Sequence, residues 1–242
     1  MATALPRLRE RHVPDLVIVN GENAAGGVGI TPDAAEEIFE AGADVITLGN
    51  HAYRHREAAS LLGSDKRVVR PANHSPEAPG RGFTVVEAAR APVAVVNLSG
   101  EVYMRVAREP FGVIDEILDG LRGSADIVFV DFHAEVTSEK VAMGWHLDGR
   151  VAAVCGTHTH VPTADARVLP KGTAHISDVG MTGSRAGVIG VEADQALRAF
   201  RTQLPTKFDV ASDDVWVMGC AIDVGDDGLA RGIEQVLEPA AG

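Results

Sequence analysis

The chain has 242 residues, 45% of them hydrophobic, with a formal net charge of −12 and a pI of about 5.1. That length and apolar share suit one domain with a real core over residues 1–242. The acidic balance argues against coating nucleic acid, whose phosphates call for a basic face. An acidic protein still takes a small phosphate ester where metal ions supply positive charge locally.

No signal peptide is visible, and no apolar run approaches the ~20 residues of a membrane span. A cytoplasmic protein that does not engage membranes is expected, with homo-oligomerisation left open. Cys155 and Cys220 sit in apolar runs and read as buried, reduced thiols rather than a disulfide framework.

In chain order, the apolar runs Leu16–Val19, Val45–Leu48, Phe83–Val86, Val93–Leu98, Ile127–Val130, Val151–Val154, Ala174–Ile176 and Val215–Val224 read as strands. Several are apolar throughout, as strands covered on both faces are. Between them, Thr31-Pro32 starts a helix and Gly42 stops it. Further helices are expected at Glu57–Leu62, Gly112–Leu121, Ser138–Trp145 and Glu192–Thr202. Alternating strands and helices predict an α/β protein with a mostly parallel sheet. The late runs Trp216–Val224 and Ile233–Leu237 are expected to form an antiparallel pair beside it.

Strand after strand ends in polar residues of related chemistry. These are Glu22-Asn23, Asn50-His51, His133, the segment Thr157-His158-Thr159-His160, and Asp178. Ligands of open parallel sheets bind beyond the carboxyl ends of the strands, so these residues should converge. In an extended chain His158 and His160 would point the same way. Glu22 offers a carboxylate able to bridge two ions, and Asn23, Asn50 and His133 add neutral donors. Imidazole, carboxylate and amide together suit Mn, Fe or Zn. Two ions about 3.5–4 Å apart would activate a water and offset phosphoryl charge. His51, beside Asn50, has the intrinsic acidity to protonate a leaving oxygen or stabilise the phosphoryl group near neutral pH.

Other polar residues admit several readings. Gly26-Gly27-Val28-Gly29 reads as a turn near the site rather than a phosphate cradle, because no lysine follows. Asp131 and Glu135, flanking His133, could hold imidazoles in place or be simply solvated. Asp178 is a candidate rim residue, and Arg70 and Lys140 are candidate substrate contacts.

Gly49-Asn50-His51 and Gly156-Thr157-His158-Thr159-His160 resemble motifs of the calcineurin-like metallophosphoesterases. The longer strings VNGENAAGGVGIT, TLGNHAY, VRPANH, VDFHAEVTSEKVAMGWHLDGRVAAVCGTHTHVPTAD and DVGMTG resemble the YmdB-like family of bacterial metallophosphoesterases over nearly the whole chain. The resemblance implies a four-layer α/β/β/α sandwich. It implies a small-molecule phosphodiester substrate, notably 2′,3′-cyclic AMP, with two divalent ions, Fe or Mn first and Zn also conceivable. It makes Glu22 the bridging carboxylate, Asn50, His133 and His158 ligands of the second metal, Asn23 and His160 ligands of the first, and His51 the catalytic histidine.

The family pattern opens with an apolar strand ending in Gly-Asp, whose Asp binds the first metal. This chain shows no such segment, and Ala2–Arg11 resembles the helix that follows it. The first-metal set is therefore expected to be incomplete and the fold to lack its first strand. Losing about five buried residues at roughly 1.5–3 kcal/mol each would rival a domain's net stability of about 5–15 kcal/mol, so a start upstream of Met1 is expected. One competing reading is a non-catalytic metal- or nucleotide-binding regulator left by loss of that Asp. Another is an amidohydrolase barrel, which usually places its H-x-H pair on the first strand rather than late in the chain.

Overall fold

A computed structural model describes residues 4–240 of the chain. The first helix, α1 (Ala4–His12), matches expectation from residue 4 onward, and residues 2 and 3 lie outside the described part. Thr31 caps α2 (Pro32–Glu40), its hydroxyl accepting from the Ala34 N–H at 3.3 Å with Pro32 in the first turn. Gly42 follows with φ of 109°, a conformation that favours glycine, so the helix stops there. The remaining helices are α3 (Arg56–Ser64), α4 (Pro110–Leu121), α5 (Thr137–Leu147) and α6 (Ala193–Thr202).

Three sheets form. β1 (Ile18–Asn20), β2 (Val45–Thr47) and β3 (Val68–Val69) pair in parallel. A six-stranded sheet runs β4 (Phe83–Glu87), β5 (Pro92–Ser99), β6 (Ile127–His133), β7 (Ala153–Thr157), β9 (Ala174–Ile176), then β8 (Arg167–Val168) at its edge. Its inner four strands are parallel, and β4 and β8 are antiparallel edges. β10 (Gly183–Ser184), β11 (Val215–Val224) and β12 (Ala230–Pro239) form an antiparallel sheet, including the expected late pair. The two-residue strands β3, β8 and β10 have no period to betray them in sequence.

The core clusters give the layer order. Ile38, Ile46, Ala58 and Leu62 join α2 and α3 to the outer face of the β1–β3 sheet. Ala4 and Leu8 of α1 pack on Val217 of the antiparallel sheet. Val45, Val69, Val93 and Val95 close the interface between the β1–β3 sheet and the large sheet, and Cys155, Ile176 and Ala230 do so for the antiparallel sheet. Val96, Phe132, Ile114, Met143 and Leu147 bury the far face of the large sheet under α4 and α5. The result is the expected α/β/β/α sandwich, its second layer divided between two three-stranded sheets. Among the described residues no helix is long and apolar enough to cross a membrane.

Candidate metal centre

The parallel strands bring their carboxyl ends to one rim. Glu22 and Asn23 follow β1, Asn50 and His51 follow β2, His133 is the last residue of β6, and His158 follows β7. Register puts His133 beside Thr157 and Asn20 beside Thr47. Asp131, two residues before His133 and 3% exposed, stitches the sheets together. One of its oxygens accepts from Asn20 Nδ2 at 2.9 Å and Thr47 Oγ1 at 2.5 Å, and the other from Thr157 Oγ1 at 2.7 Å. Burial pushes its carboxyl up to about 6 against those three donors.

The two histidines of the Thr-His-Thr-His segment do not alternate as in a strand. β7 ends at Thr157, and His158 and His160 have φ of 99° and 68°, in the left-handed region that non-glycine residues rarely enter. Their rings go to different neighbours. His158 Nδ1 lies 3.1 Å from His133 Nε2, whereas His160 Nε2 lies 3.2 Å from the Asn23 amide.

Each imidazole has its outer nitrogen held, which fixes which nitrogen carries the proton. His133 Nδ1 faces Thr157 Oγ1 at 2.9 Å; that hydroxyl gives its proton to Asp131, so it accepts from the ring. His158 Nε2 meets Glu135 Oε2 at 2.9 Å. His160 Nδ1 meets the Ile189 carbonyl at 3.1 Å. Burial, followed by the nearby His158, lowers the His133 pKa well below the ordinary range; burial also lowers that of His158, against the pull of Glu135. The inward nitrogens of the neutral His133 and His158 rings are therefore lone pairs.

Lone pairs converge as a result. His133 Nε2 faces His158 Nδ1 at 3.1 Å and Asn50 Oδ1 at 3.0 Å. The Asn23 amide satisfies the Glu22 and Gly27 carbonyls through its nitrogen at 3.2 and 3.3 Å when its oxygen faces His160 Nε2. Glu22 is 2% exposed; its Oε1 accepts from the His51 N–H at 2.5 Å and lies 3.1 Å from His51 Nδ1. Its Oε2 is buried with no partner. Acceptors facing acceptors beside a buried carboxylate oxygen lack what a cation supplies.

Among the described residues no group of three His, Cys, Asp or Glu is spaced as a ready ion cage. Here the donors touch one another and two of them are asparagines, so the pattern of lone pairs decides the fit, and these residues fit divalent ions. The ring of His51 is 39% exposed beside Glu22, open to a ligand in a way that the 2% exposed His133 is not. Gly49 is required here because a Cβ would overlap the His133 ring.

Three expected roles are corrected. Arg70 is 5% exposed and its guanidinium donates to the carbonyls of Pro71 at 2.9 Å and Ala78 at 3.2 Å, so it clamps its own loop rather than meeting substrate. Lys140 and Asp178 are buried and paired at 2.8 Å, so the first is no free substrate contact and the second no open rim residue. The Gly-rich segment is the expected turn, with Ala25 N–H donating to Gly29 and Gly27 N–H to Asn23. Asn20 and Thr47 were not singled out from the sequence and Thr157 was named only within its segment, without a role, although a polar residue ending an apolar strand is a usable signal.

The family model of the YmdB-like proteins matches residues 1–236. A 2′,3′-cyclic-nucleotide 2′-phosphodiesterase of Bacillus subtilis (strain 168) is 43% identical over 92% of this chain and 84% of its own length. A crystal structure of a hypothetical protein from Thermus thermophilus aligns with TM-score 0.90 at 42% identity, covering 98% of this chain and 93% of that one. A Mycoplasma pneumoniae structure titled a novel phosphatase aligns with TM-score 0.89 at 35% identity, covering 98% and 88%. With a family match over almost all of its length and relatives this similar, the chain belongs to the YmdB-like protein family.

Proposed function

We propose that the chain is a metal-dependent phosphodiesterase acting on small cyclic nucleotides such as 2′,3′-cyclic AMP. It is a phosphoesterase by family; the substrate and the residue roles are our reading. The convergent lone pairs of His133, His158 and Asn50, next to the unpartnered Glu22 oxygen, support it most. The cyclic-nucleotide activity named for the Bacillus relative supports the substrate class.

His133, His158 and Asn50 would hold one divalent ion and Asn23 and His160 another, with the buried Glu22 carboxylate serving both sets. Bound ions offset phosphoryl charge and acidify water. Asp131 and Glu135 keep the imidazoles turned inward through Thr157 and directly. His51, half-open beside Glu22, donates the proton to the departing ester oxygen. The set around His133 is the fuller one, so one ion binds more tightly than the other.

The test is hydrolysis of 2′,3′-cyclic AMP with added manganese. Turnover should occur, and His51→Gln should lower kcat about 10²–10⁴-fold with metal content unchanged. Binding of metal and nucleotide without turnover would make the chain a non-catalytic binder.

A further inference from the structure

We propose that the buried Lys140–Asp178 pair is a positioning device: it fixes Thr159 so that His158 and His160 keep the backbone turns that aim their rings. The purpose of that aim rests on the metal reading above.

Thr159 stands between two residues in left-handed conformations, with φ of 99° before it and 68° after it. Such turns persist at non-glycine residues only where the surroundings over-determine them. Asp178 does so. Its Oδ2 accepts from the Thr159 N–H at 3.0 Å and the Thr159 hydroxyl at 2.7 Å. Lys140, reaching from α5, donates to that same Oδ2 at 2.8 Å and to Thr159 Oγ1 at 3.0 Å. Asp178 is anchored in turn: its Oδ1 accepts from Gly180 N–H at 2.8 Å, and its own N–H donates to Thr163 Oγ1 at 2.9 Å.

Both side chains are almost wholly buried, 2% and 1% exposed. A buried ion pair is a weak source of stability, and an apolar pair often packs as well. An apolar pair could not grip Thr159 through its N–H and hydroxyl together. The preceding Gly156 keeps the passage clear, because a Cβ there would overlap the Ser177 carbonyl and lie 2.9 Å from Lys140 Cδ. The arrangement reaches from helix layer to rim and makes no hydrogen bond to either ring, so its grip on them runs through Thr159, with the Lys140 charge also felt by His158 through space.

The test uses the whole chain as Thr159→Val, which keeps the shape and removes the hydroxyl, with Thr159→Ser as its rescue and Lys140→Met to free the pair. Manganese(II) affinity is measured by calorimetry. Separately, the ring ¹⁵N shifts of His158 and His160 are read in metal-free protein. Thr159→Val should weaken manganese binding about 10–100-fold, make both rings exchange between tautomers and leave the melting temperature nearly unchanged. Thr159→Ser should restore both readouts. Lys140→Met should weaken binding in the same way even where its melting temperature falls. Wild-type affinity and wild-type ring signals in both Thr159→Val and Lys140→Met would overturn the inference. If wild-type protein bound no manganese while the ring signals still changed in the variants, the metal reading would fail and the positioning role would stand.

Discussion

His74 shows how a single side chain sets a response to acid. Burial, with help from the Arg70 charge, lowers its pKa from 6.5 to about 4. The unfolded chain therefore takes up a proton that the folded chain refuses between those values. The stability that neutral His74 contributes is complete above pH 6.5 and is lost as pH falls toward about 4. His74→Gln should make the fall in stability over that window shallower, as denaturant titrations at stepped pH would show. An unchanged slope would mean that His74 titrates as it does in the open chain. The His74 ring lies tilted by 40° against that of Tyr53, with centroids 6.4 Å apart, and the Tyr53 hydroxyl donates to the Pro79 carbonyl. The effect belongs to the loop clamped by Arg70, not to the metal centre.

At the scale of elements, α1 joins two sheets that share no ladder. Arg9 donates to the Gly42 carbonyl at 2.6 Å on one side, while Arg11 meets Glu238 at 2.6 Å and Arg7 the Pro239 carbonyl at 2.9 Å on the other. The polar ties are exposed or half-buried, whereas the apolar contact is buried. Leu8→Ala should cost about 2–4 kcal/mol because the methyls facing Val217 are buried. Arg11→Ala, with the Arg11 side chain 58% exposed, should cost well under the Leu8 change. Equal losses in chemical denaturation would contradict that order.

Legibility followed the same physics. Apolar runs as long as Val215–Val224 and caps as plain as Thr31-Pro32 were readable, because burial and capping leave local patterns. The strand ends were readable too, since Glu22, Asn23, Asn50, His133, His158 and His160 each follow or finish an apolar run. Their backbone turns were not: alternation suggested one face for His158 and His160, whereas Thr159 is pulled toward Asp178 and turns them apart. Arg70 and Lys140 were misread for a related reason. A charged side chain is taken as exposed until the carbonyls or the carboxylate that receive it are seen, and those partners come from other loops and strands.

At the scale of the whole molecule, an acidic chain of net charge −12 handles an anionic substrate only if cations sit where it binds. The layered fold puts the needed donors at one rim, with Asp131 locking the two sheets in register there. Calorimetric titration of manganese(II) into metal-free protein, wild type against His133→Ala, tests this most directly. The wild type should bind one tight equivalent and one weaker, and His133→Ala should lose the tight one. No binding in the wild type, or an unaltered tight site in His133→Ala, would contradict it.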